Sequence, residues 1–165
     1  MHIEPDPATL TAAERAVGRL VRGARRVPGL RRVLLHPVVA RPGHWFATAV
    51  AAVWGAVLLG RFARRRGVLY VHRLPRWAFG RGGTTIGAVF LTRDAVSDDV
   101  LDHEAVHVQQ WRRYGLAFIP LYIAAGSPPL TNRFEVEAGL EKGGYVRRRP
   151  PRASRRPSTG RPSTG

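Results

Sequence analysis

At 165 residues the chain can bury one hydrophobic core without covalent staples, so a single domain with tails is expected. Lys and Arg number 27 against 11 Asp and Glu, a formal net charge of +16 that favours phosphate and anionic lipid as neighbours. The absence of cysteine excludes disulfides, thiolate zinc sites and cysteine-held iron–sulfur clusters.

Residues 1–10 are polar, carry Glu4, Pro5, Asp6 and Pro7, and lack the apolar run of a secretory signal. They read as a disordered N-terminus ahead of one domain over residues 11–146, and a cytoplasmic location is expected. Thr11-Ala12-Ala13-Glu14 is a capping box that opens a helix reaching about Val27, where Pro28-Gly29 stops it. Ala13, Val17, Leu20, Val21 and Ala24 form its apolar stripe, with Arg15, Arg19, Arg22, Arg25 and Arg26 elsewhere. Such a helix suits peripheral contact with a membrane surface, or equally a solvated arginine face. Residues 30–43 read as a proline-broken connector. Residues 45–60 (WFATAVAAVWGAVLLG) hold no charge but fall short of the roughly 20 residues that span a bilayer. Arg31, Arg32 and Arg41 precede them and Arg61, Arg64, Arg65 and Arg66 follow. A buried core helix and a membrane-inserted or interfacial helix both fit.

Residues 67–74 (GVLYVHRL) and 84–92 (TTIGAVFLT) read as two strands of an antiparallel hairpin around a Gly- and Arg-rich turn. His72 shares a strand face with Tyr70 and reads as a packing or surface histidine.

The densest chemical signal follows. His103-Glu104-Ala105-Val106-His107 is H-E-x-x-H, and on a helix two residues four apart share one face, so both imidazoles can reach one metal ion. Glu104 then falls beside the open coordination position, where a carboxylate can take a proton from water. Local chemistry makes the segment helical. Ser97 caps it, Asp98 and Asp99 place negative charge in the first turn, Arg112 and Arg113 occupy the last, and Gly115 stops it.

Residues 114–126 read as a second core helix, kinked or started at Pro120. A loop, Gly126-Ser127-Pro128-Pro129, leads to a helix predicted over residues 132–141, capped by Asn132 and ended near Gly143-Gly144. Catalytic zinc commonly takes three protein ligands and a water. The third ligand is sought here among Glu135, Glu137 and Glu141. Glu135 competes with its own role in an Asn132-x-x-Glu135 capping box.

H-E-x-x-H followed by a helix bearing E-x-x-A resembles the gluzincin branch of zinc metallopeptidases. The run from His103 through Gln110 and Trp111 to Asn132-x-Phe134-Glu135-x-Glu137-Ala138 is similar to small zincin-like proteins of actinobacteria. The resemblance covers residues 68–145. It implies zinc held by His103, His107 and Glu135, with Glu104 as general base and Ala138 as the small residue of the pattern. The aspartate that closes E-x-x-A-D is Gly139 here, which removes a supporting carboxylate from its usual place. The resemblance also implies that the strand ahead of the metal helix holds extended substrate by strand addition. Gln110, on the face of His103, matches a glutamine often present in such proteins and could orient a ligand or touch substrate, as could Glu137 and Tyr114. Tyr114, Tyr122 and Tyr145 are all candidates for an oxyanion donor.

Residues 147–165 (RRRPPRASRRPSTGRPSTG) contain no acid and no large apolar side chain, and read as a disordered tail with sequence-independent affinity for anionic surfaces. The expected whole is an α+β, zincin-like minimal domain: a short antiparallel sheet on the H-E-x-x-H helix, with a returning glutamate-bearing helix. The function expected from it is a zinc-dependent hydrolase, most plausibly a peptidase acting on a peptide or protein substrate. The alternative is a non-catalytic basic accessory protein that binds membrane or nucleic acid and keeps a structural or vestigial metal site.

Overall fold

The computed structural model describes residues 10–78 and 82–146. The expectations for the first nine residues and for the arginine-rich tail lie outside them. Thr11 opens α1 (Ala12–Arg26) with both halves of the capping box formed: its hydroxyl accepts from the Glu14 amide at 3.2 Å, and Glu14 accepts from the Thr11 amide at 2.6 Å. The same carboxylate accepts from the Ser127 amide at 2.6 Å and from the Ser127 hydroxyl. One side chain thus caps α1 and fastens it to the loop ahead of the last helix.

The connector expected at residues 30–43 is instead helical. A short α2 (Leu30–Leu34) is followed by α3 (Pro37–Val57). His36 caps α3 through Nδ1, and Pro37 sits in the first turn, where a missing N–H costs nothing. Pro37 read as a breaker is therefore a starter. Ala40, Gly43, His44, Ala47, Ala51 and Gly55 form the buried face of α3. A Cβ on Gly55 would meet Val71 at 3.0 Å, so the small residues let α3 lie close against the sheet. Among the described residues no helix is long and apolar enough to cross a membrane.

The sheet corrects the expected antiparallel hairpin. It has four strands, β1 (Arg61–Arg65), β2 (Val68–His72), β3 (Gly83–Ile86) and β4 (Val89–Thr92), in the order β1-β2-β4-β3. β1 pairs with β2 and β3 with β4 antiparallel, while β2 and β4 run parallel. The reason is local. Gly87, at φ +62, turns the chain inside what reads as one strand, and a Cβ there would lie 2.4 Å from the Thr48 amide nitrogen. Residues 84–92 are thus a hairpin in themselves, with β3 at the edge of the described sheet. β1 escaped notice because Arg61, Arg64 and Arg65 read as flanking charge, and charge is what an exposed edge strand carries.

α4 (Asp98–Tyr114) packs on this sheet with Leu101 beside Val68 and Phe90. The Ser97 hydroxyl accepts from the Val100 amide, Arg65 pairs with Asp98 at 3.1 Å, and Arg66 with Asp102 at 2.6 Å. A single 3-10 turn (Gly115–Ala117) leads to α5 (Phe118–Ala124), and α6 (Arg133–Ala138) returns toward α4. Trp111, Phe118 and Phe134 bring α4, α5 and α6 into one aromatic cluster with Ala47 of α3. The architecture is α+β, with helices around a small mixed sheet.

Candidate metal centre

The helical spacing of α4 places His103 and His107 on its buried face, 2% and 6% exposed, with Nε2 atoms 3.1 Å apart. α6 supplies Glu135, 3% exposed, whose carboxylate oxygens lie 3.2 Å from His103 Nε2 and 3.3 Å from His107 Nε2. The three residues form a buried cluster able to hold a metal ion. A tetrahedral ion with bonds of about 2.0–2.1 Å needs its ligand atoms about 3.3 Å apart, close to these spacings.

The surrounding hydrogen bonds fix which atoms face one another. His103 Nδ1 lies 3.1 Å from the Gly139 carbonyl, which can only accept, so Nδ1 carries the proton. Gln110 donates through Nε2 to the Phe134 carbonyl at 3.1 Å and to Glu137 at 3.0 Å, which turns its Oε1 toward His107 Nδ1 at 2.8 Å. His107 Nδ1 is then also a donor. Both Nε2 lone pairs point into the cluster, and among the described residues Glu135 Oε2 accepts no hydrogen bond. Three electron-rich atoms at this separation need positive charge between them, either a proton or a cation. Without an ion the proton has a place: burial pushes the His107 pKa down, but Glu135 and Glu104 outweigh it and hold it above the usual histidine value. Burial pushes Glu135 up, yet His103, His107 and the Tyr122 hydroxyl hold it well below the carboxylate range.

Asn132 caps α6 by accepting from the Phe134 amide at 3.0 Å, and Glu135 turns toward the histidines. Glu137 lies one step round and contacts Gln110. α6 ends at Ala138, short of the expected 141, because Gly139 adopts φ +94 and ψ +102. That bend aims the Gly139 carbonyl at His103.

Glu104 lines the same cavity, of about 350 Å³, with β3, Tyr122, Tyr145 and the three cluster residues. Its Oε2 accepts from the Thr85 hydroxyl at 2.6 Å, and Trp111 Nε1 donates to the Thr85 carbonyl at 2.8 Å. Burial raises the Glu104 pKa, with Thr85 and the two histidines offsetting part of the shift. Tyr122 donates its hydroxyl to Glu135. Tyr145 lies with its ring 5.9 Å from that of His103, its pKa pushed up to about 12 by burial and the nearby carboxylates. Tyr114 is not brought to the site; it packs against Phe118 and Phe134. His72 is likewise remote, its ring beside Tyr70.

Thr85, the Gly139 carbonyl and Gly143 were not singled out from sequence. A Cβ on Gly143 would lie 2.8 Å from His103 Cε1, so the loop after α6 closes directly on that ring. Thr85 carries no motif, because its role depends on the pairing of β3 beside α4. No protein-family model, curated protein or solved structure matches the chain, and the functional reading rests on the side chains themselves.

Proposed function

We propose that the protein is a zinc-dependent hydrolase of peptide bonds. The observation that carries the reading is the convergence of two Nε2 lone pairs and a carboxylate, with Glu104 on the same cavity wall and not among the cluster atoms. Two imidazoles and a carboxylate suit zinc among divalent ions. A zinc ion held there supplies Lewis acidity toward a carbonyl and an attacking water.

The chain's own groups do the rest. Thr85 holds Glu104 Oε2, which leaves Oε1 to accept a proton from water and later return it to the leaving amine. Tyr114 is committed to the core, which leaves Tyr122 and Tyr145, both beside Glu135 on the cavity wall, as the tyrosines able to donate toward a developing oxyanion. Among the described residues β3 has a strand neighbour on one side only and lines the cavity; Trp111 Nε1 already holds its Thr85 carbonyl, so an extended peptide lying along it would pair with the remaining polar groups of that edge.

The test is cleavage of a broad peptide library by zinc-loaded protein, with chelator controls and Glu104→Gln alongside. Chelator-sensitive cleavage that falls about 10²–10⁴-fold in Glu104→Gln, with zinc retained, is the expected result. Cleavage equal in wild type and variant would overturn the assignment of Glu104.

A further inference from the structure

α3 is inside out. Its small residues face the protein, and every exposed residue between 42 and 59 is apolar, including Trp45 (64% exposed), Val53 (63%) and Val57 (68%). The 21-residue helix presents this surface over about 30 Å. Exposed arginines bracket it, with Arg31, Arg32 and Arg41 at one end and Arg61 and Arg64 at the other. No Asp or Glu occurs in the chain between Glu14 and Asp94.

A second feature adjoins the first at Trp45. A cleft of about 580 Å³ between α3 and the end of α4 is lined by Arg41, His44, Trp45, Gln109, Arg112 and Arg113, without one acid. His44 is 3% exposed, and neither of its ring nitrogens has a hydrogen-bond partner among the described residues. Burial and Arg112 push its pKa down, so it adds a neutral N–H to a basic cleft.

We propose that α3 lies in the plane of an anionic phospholipid bilayer, its apolar face at the acyl boundary and a lipid phosphate seated in the arginine cleft. An interfacial helix combines these features: a long apolar face, cationic flanks and tryptophans on the buried side. Nucleic acid would engage the arginines and leave the apolar face wet. A second copy of the chain, packed face to face, would set cationic flank against cationic flank. This inference stands independently of the metal site.

The test uses the full chain and vesicles of phosphatidylcholine alone or mixed equally with phosphatidylglycerol, the acyl chains brominated to quench tryptophan at contact. Binding to the anionic vesicles with quenched emission is expected. At equal amounts of bound protein, Trp45→Phe with Trp54→Phe should lose most of the quenching. Val53→Asp, at an exposed position, should lower partitioning about tenfold or more, and Arg112→Gln should weaken binding to anionic vesicles. The proposal is overturned if the wild type does not bind. It is equally overturned if it binds without quenching and Val53→Asp binds as well, since the arginine-rich tail then accounts for the attraction. A wild-type dimer in solution that Val53→Asp converts to monomer, with no vesicle binding, would assign the face to a second copy.

Discussion

At position 139 the backbone itself supplies the partner of a buried histidine. The Gly139 carbonyl accepts from His103 Nδ1 only because the residue adopts φ +94, a conformation that L side chains rarely take. Gly139→Ala should rotate that carbonyl and weaken zinc affinity about 10–100-fold, the usual cost of losing a partner that orients a ligand. Competition with a chromophoric chelator measures it, and unchanged affinity would leave His103 oriented by packing alone. The same titration separates the two glutamates of α6. Glu135→Gln should lose stoichiometric binding, because its carboxylate faces both Nε2 atoms. Glu137→Gln should cost no more than about 10–100-fold, since it acts through Gln110. His103 and His107 were legible in the sequence because one helix fixes their spacing. Glu135 was preferred over Glu137 only through the E-x-x-A resemblance; the residues alone leave that choice open, since it depends on the rotation of α6 against α4, which residues from both helices set together.

Between elements, the Glu14 carboxylate is the clearest long-range tie. It joins α1 to Ser127, and the hydrogen bonds from Ser127 and Thr11 bring its pKa down to about 2 against an ordinary 4.5. A carboxylate whose folded pKa is depressed stabilises the fold fully above about 4.5, and that contribution is lost as pH falls from there toward 2. Glu14→Gln should therefore lower stability near neutral pH by an amount on the order of 1 kcal/mol, or about 2–4 °C in Tm. The gap between wild type and variant should close as melting is followed to pH 2; a gap independent of pH would mean that packing, not charge, is lost. The capping box at Thr11 was readable because its partners lie three residues apart. The bond to Ser127, 113 residues away, was not. Strand pairing failed for a related reason. Alternation locates β2 and β4, but only the Gly87 turn and the charged edge strand β1 decide that those two run parallel.

Across the whole molecule, the centre draws on α4, α5, α6, β3 and the loop after α6, so no one element carries it alone. An ion bound only by the assembled site must stabilise the fold. Zinc should raise Tm and a chelator should lower it, while His107→Ala should abolish the difference. Without cysteine the chain has no thiolate to offer a metal, so composition points to imidazole and carboxylate as candidate ligands. It could not reveal that α3 turns its large apolar residues outward, since periodicity marks an apolar face without saying what covers it. The most direct measurement is the metal content of the full chain, purified without chelator after expression with zinc available. About one zinc per chain in the wild type, and none in His103→Ala, is the expected result. A wild-type protein that contains no zinc and takes none up on titration would contradict the central claim.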